Sequence, residues 1–157
     1  MKNRLKGITL IETMLYIGLF SIIILMVLNF MLSTQESTIR NNRRGDVYKT
    51  SEFVIQHIEY SFNNALSISK DNSLFNSNLG LLELQFTEGP KQYTLSNSTL
   101  YFDGVPITPP NISITQFSLI PIYNGIESPI AVKINIDLVS KDDPKITDTI
   151  NLLSTLR

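Results

Sequence analysis

The chain has 157 residues, a net charge of -1 and no cysteine. That length accommodates one ordinary domain plus an anchor. The near-neutral charge gives no global basic field for nucleic acid, and the missing thiols exclude disulfides, thiolate catalysis, cysteine-ligated metal and a lipidated cysteine anchor. Hydrophobic residues make up 43% of a sequence that also has long Asn/Ser/Thr-rich stretches, so the apolar residues are concentrated in part of the chain.

They are concentrated at the N-terminus, where residues 8–32 read ITLIETMLYIGLFSIIILMVLNFML. Residues 13–32 carry no charge. As a helix, a stretch of this size spans roughly 30 Å, the thickness of a membrane hydrocarbon core. The preceding MKNRLKG contributes Lys2, Arg4 and Lys6. By the positive-inside rule this end stays in the cytoplasm and the C-terminal part is exported. Arg40, Arg43 and Arg44 on the far flank weaken the contrast but lie farther from the apolar run, and Asp46 partly offsets them. A secretory signal would have a shorter core followed by a small-residue cleavage site, whereas NFMLSTQES follows here. A plain signal anchor needs only hydrophobicity and leaves Glu12 unexplained. An ionised carboxylate inside a membrane costs about 2.5–3.5 kcal/mol at mid-depth and less near the edge, so it requires a partner.

The string Lys6-Gly7-Ile8-Thr9-Leu10-Ile11-Glu12 resembles the processing site of type IV prepilins and type II secretion pseudopilins. The resemblance implies a leader, residues 1–7, that prepilin peptidase removes after Gly7. It also implies N-methylation of the new terminus at Ile8 and retention of the apolar helix. Glu12, the fifth residue counting from Ile8, matches that family's characteristic glutamate, while Ile8 stands where phenylalanine is commoner. In the filament implied by the resemblance, Glu12 of one subunit neutralises the amine of another and sets the axial register of otherwise unspecific apolar helices. Thr9 either adds a hydrogen bond near that pair or is simply a threonine at a membrane edge. Gly7, without a side chain, lets the backbone enter a narrow protease cleft in extended form, or else serves only as a helix breaker.

No proline precedes Pro90. Beyond the apolar run, Val47, Val54 or Ile55, Ile58, Phe62 and Ala65 or Leu66 recur at helical spacing. One helix over residues 8–66 is therefore expected, bent or loosened near Asn29 or Gly45. Its first part, residues 8–32, is membrane span or filament core, and residues 33–66 are an amphipathic continuation. The segment EFVIQHIEYSFNNALSI also resembles the second helical half of J-type minor pseudopilins.

Residues 67–157 change character. After the polar linker SKDNSLFNSN come alternating runs through Leu82, Leu84 and Phe86; Tyr93 and Leu95; Leu100 and Phe102; Ile112, Ile114 and Phe117; Val132, Ile134, Ile136 and Leu138; and Ile146, Ile150 and Leu152. Turn signals separate them at Gly89-Pro90, Ser96-Asn97, Asp103-Gly104, Pro109-Pro110, Asn124-Gly125 and Asp143-Pro144. The expected fold class is α+β: a long N-terminal helix packed on a small antiparallel head of five or six strands, one face on the helix and one to solvent.

Catalytic signals are weak. His57 is the only histidine, on an amphipathic helix where a boundary position is the default. A lone histidine without cysteine cannot build a usual zinc site. Asp142-Asp143 reads as a solvated turn rather than a calcium site, which needs six or more oxygens. Glu127 and Asp137 are isolated, and no phosphate-cradling loop is present. No cofactor or metal is expected. Arg40, Arg43 and Arg44 form a basic side of the helix. They suit a solvated interfacial face, contacts to a neighbouring subunit, or DNA if the filament serves DNA uptake. Tyr93, Tyr101 and Phe102 near Lys91 suit core or cross-strand pairs better than base stacking.

The expected function is thus a non-catalytic minor pilin or pseudopilin, with the N-terminus cytoplasmic and the head extracytoplasmic, that joins or primes a type IV pilus-like filament. Its expected partners are prepilin peptidase, sister subunits and the membrane. A major pilin is the nearest variant of this reading. The alternatives are a plain single-pass anchored protein with an exported ligand-binding head and, more remotely, a membrane-tethered hydrolase.

Overall fold

The computed structural model describes residues 9–125 and 129–156. A single helix, α1, runs over Leu10–Asn64. It starts where the Thr9 carbonyl accepts the Thr13 amide at 3.1 Å. Asn29 and Gly45, expected as weak points, lie inside this continuous helix. The helix stops two residues short of the expected end because the Leu66 amide is captured by the Gln85 carbonyl at 2.7 Å, which turns the chain into a sheet. By internal contacts the chain divides into two compact units, Met1–Asn41 and Asn42–Arg157.

In the second unit, α1 buries Val47, Thr50, Ser51, Val54, Ile58, Ser61 and Phe62. These positions recur every three or four residues, the period of one helical face. Eight strands follow: β1 Ser67–Ile68, β2 Leu81–Phe86, β3 Gly89–Ser96, β4 Thr99–Phe102, β5 Val105–Pro106, β6 Ile112–Tyr123, β7 Pro129–Ser140 and β8 Thr147–Thr155. All ladders are antiparallel, as expected, but the single meander is corrected to two sheets, β1-β2-β3-β4-β5 and β6-β7-β8. The division falls at Pro106 and Pro109-Pro110, which lack the amide protons needed to continue a ladder. β4 and β5 are joined by Asp103 (φ 50°) and Gly104 (φ 79°), the paired left-handed conformations of a tight hairpin turn.

The segment read as a polar linker is tied down instead. Ser69, Leu74 and Asn76 donate their amides to Glu83, Leu81 and Leu119, and Phe75 packs on the core. Next to it Gly80 donates to the Phe117 carbonyl at 2.7 Å. A Cβ on Gly80 would sit 2.7 Å from that oxygen, so only glycine permits the approach. The core gathers the helix stripe with Leu82, Leu84, Tyr93 and Leu100 of the first sheet. The second sheet contributes Phe117, Leu119, Ile134, Ile136, Leu138 and Ile150.

Candidate functional site

The first unit contains the apolar first part of α1. Among the described residues this is one N-terminal helix long and apolar enough to span a membrane, with mean hydropathy 2.5 over its best window and none of that window buried. Leu10, Ile11, Met14, Phe20 and Phe30 are each more than 60% exposed. In water such a face would be a large unmet liability, whereas lipid or other apolar helices satisfy it. Two of its hydroxyls bond the helix backbone: Ser21 donates to the Ile17 carbonyl at 2.8 Å and Thr34 to the Phe30 carbonyl at 2.9 Å. An apolar surrounding therefore meets these two hydroxyls already bonded.

Glu12 lies in the first turn of α1. That turn is the positive end of the helix dipole. The Tyr16 hydroxyl, one turn on, donates to Glu12 Oε1 at 3.2 Å. Thr9 contributes through its backbone, since its carbonyl also accepts the Glu12 amide at 3.0 Å. The sequence reading passed over Tyr16, although its spacing of four residues from Glu12 was the signal for it. Lys2, Arg4, Lys6, Gly7 and Ile8 lie outside the described residues.

The three arginines separate. Arg43 Nε lies 3.8 Å from Asp142 Oδ2 within the same chain. Nearby, Asn111 Nδ2 donates to Asp46 Oδ2 at 3.3 Å. Together these contacts fasten the start of the second unit's helix to the turns at 109–111 and 141–145. Arg44 instead borders a cleft with Tyr48 and Lys145. Arg40 belongs to the first unit and borders a shallow groove with Ser33, Glu36 and Ser37.

His57 is half-buried, and its Nδ1 lies 2.7 Å from the Tyr93 hydroxyl, which is also 2.7 Å from Ser61 Oγ. Its ring meets Phe102 edge-on at 4.8 Å. Burial lowers the His57 pKa and pushes the Tyr93 phenol well above its usual value, against a smaller opposing effect of the Ser61 hydrogen bond. A fully buried tyrosine hydroxyl needs such partners, so the cluster closes the helix–sheet interface. Tyr93 and Phe102 thus serve as core and cross-strand residues, their rings 4.6 Å apart. Among the described residues no three His, Asp or Glu side chains are grouped to hold a metal ion.

Comparison with protein-family models, curated proteins and solved structures finds no match for the chain.

Proposed function

We propose that this chain is a non-catalytic minor pilin or pseudopilin, cut after Gly7 by prepilin peptidase, N-methylated at Ile8, and assembled with sister subunits into a type IV pilus-like filament. The observation that carries the reading is the position of Glu12. It is a carboxylate in the first turn of an otherwise uncharged, fully exposed apolar helix, and that helix continues without a break into the stripe completing a β head. A membrane anchor alone has no use for that charge. A helix that docks against the free amine of a neighbour does, because the pair neutralises two charges that each would be costly alone in a low dielectric.

In this reading Lys2, Arg4 and Lys6 hold the leader in the cytoplasm, and the head from Ser67 onward is exported. DNA becomes a partner only if the filament takes up DNA. The competing reading is a single-pass anchor with an exported ligand-binding head, and it differs at one bond. Mass spectrometry of the N-terminal peptide from the native host decides between them. The filament reading expects a mature chain starting at N-methylated Ile8, and expects Gly7→Val to block the cut. An intact Met1 in the functional protein would sink it.

A further inference from the structure

The two sheets have four edges, and three are closed. β1 and β5 are two residues long, and β5 ends in Pro106. β6 carries two register shifts and Pro121, and its middle is occupied by residues 76–80 through Phe117 N to Asn78 O and Gly80 N to Phe117 O. Short edges, proline, bulges and covering loops are the devices by which proteins prevent strands from pairing with other chains. β8 has none of them. It runs nine residues and pairs with β7 without a register shift. It contains no proline, lysine or arginine, and Asp148 is its single charge. Among the described residues no hydrogen bond from another element reaches its outer edge.

The surroundings of β8 specify what fits there. α1 runs beside it in the same direction and leaves a cleft at each end. At the start, Arg44 and Tyr48 face Lys145 and Thr147 across one cleft. At the finish, Glu59 and Asn63 face Leu153 and Ser154 across the other. Ser154 Oγ is buried there without a hydrogen-bond partner, and the residue is only 5% exposed. The cleft at the start therefore carries two cations and the cleft at the finish an acid, and β8 itself is uncharged from Thr149 to Thr155.

We infer that β8 accepts an extended segment of a different polypeptide as a fourth strand of its sheet. Backbone hydrogen bonds supply the affinity and the clefts supply the selectivity. The segment has an uncharged centre, an acidic side chain that meets Arg44 and Lys145, and a basic side chain that meets Glu59. A second copy of this chain does not fit. Antiparallel pairing of β8 with itself about Asn151 would bring each copy's Asp148 opposite Ser154, into the cleft that already holds Glu59. Parallel pairing would set Asp148 beside Asp148 and Lys145 beside Lys145, and like charges placed so are destabilising.

The test uses the full chain in its own host membrane, with a photoreactive residue at Asn151, which is exposed at the middle of β8, and with two differently tagged copies expressed together. The expected adduct is with another protein, through a peptide with the stated charge order. Its yield should fall at least tenfold in Leu153→Lys, and likewise in Thr149→Lys, each placing a charge at an exposed edge position. Glu59→Lys should lower it similarly, and changing the partner's basic residue to Glu should restore it. An adduct between the two tagged copies, no adduct at all, or one unaffected by the lysines would overturn the inference. The N-terminal mass is read in the same sample. Processed chain without a β8 adduct removes this inference alone, and an adduct on unprocessed chain removes the filament reading alone.

Discussion

His57 is the side chain whose charge state is most exposed to ordinary changes of pH. In the neutral tautomer with its proton on Nε2, Nδ1 accepts from the Tyr93 hydroxyl, which also shares a hydrogen bond with the Ser61 hydroxyl. Protonation forces Nδ1 to donate, and the Tyr93 proton must turn away to another acceptor such as the His57 carbonyl at 3.2 Å. Burial among Phe53, Tyr93 and Phe102 adds a desolvation penalty for the cation, so the folded-state pKa lies below the ordinary 6.5. The unfolded chain then binds a proton at a higher pH than the folded one. Stability from this group is complete above about pH 6.5 and declines as pH falls through the lowered folded value. The melting temperature of the full chain in detergent should therefore fall between pH 7 and pH 5. His57→Gln should flatten that part of the profile, because it keeps a polar side chain and removes the titration. An unchanged slope would place the acid sensitivity elsewhere.

At the scale of elements, the second half of α1 is part of the head's core. Val47, Val54, Ile58 and Phe62 are each at most 1% exposed. Burying one such side chain contributes about 1.5–3 kcal/mol, so four of them rival the roughly 5–15 kcal/mol total stability of a small domain. A chain beginning at Ser33 should be soluble and melt cooperatively, whereas one beginning at Ser67 should show no cooperative transition by circular dichroism. Equal melting of the two would mean that the stripe belongs to another packing surface. The stripe was legible in the sequence because a 3.6-residue period survives without knowing its partner. The alternating runs at Leu82–Leu84 and Val132–Leu138 were legible for the same reason, with period two. The split into two sheets was not, since alternation is the same whether a strand's neighbour lies in one sheet or another. β1 was hidden just before a polar run, because two residues, flanked by the Leu66 and Ser69 amides that bond the Gln85 and Glu83 carbonyls, leave no periodic trace. In the candidate site Glu12 stood out as a charge in an apolar run. The pairing of His57 with Tyr93, 36 residues away, depends on which row of the first sheet meets the helix, and no local pattern records that.

At the scale of the whole molecule, one helix carries two different surfaces in succession, first a fully exposed apolar face and then a stripe that completes the head. In the filament proposed above, Glu12 links them to assembly. Before assembly its carboxylate has the helix N-terminus and the Tyr16 hydroxyl as local support. Neither is a cation, so in that filament a neighbour's amine would be its counter-charge. Glu12→Ala should leave the cut after Gly7 intact and should not impair membrane insertion, because it removes a costly carboxylate from the apolar run. Assembly should fail, since the neighbouring amine is then buried without a counter-charge, and breaking a buried pair costs about 3–5 kcal/mol. That corresponds to at least a hundredfold loss of incorporation. Glu12→Gln should fall between, keeping an acceptor for Tyr16 without the charge. Each variant is expressed in the native host, and both N-terminal processing and recovery in sheared filaments or cross-linked complexes are measured. A subunit at a filament tip has no neighbour above it, so the same substitution in a sister subunit is measured alongside. Normal incorporation of Glu12→Ala in both would reduce Glu12 to an incidental polar residue at the membrane edge and remove charge pairing as the source of register.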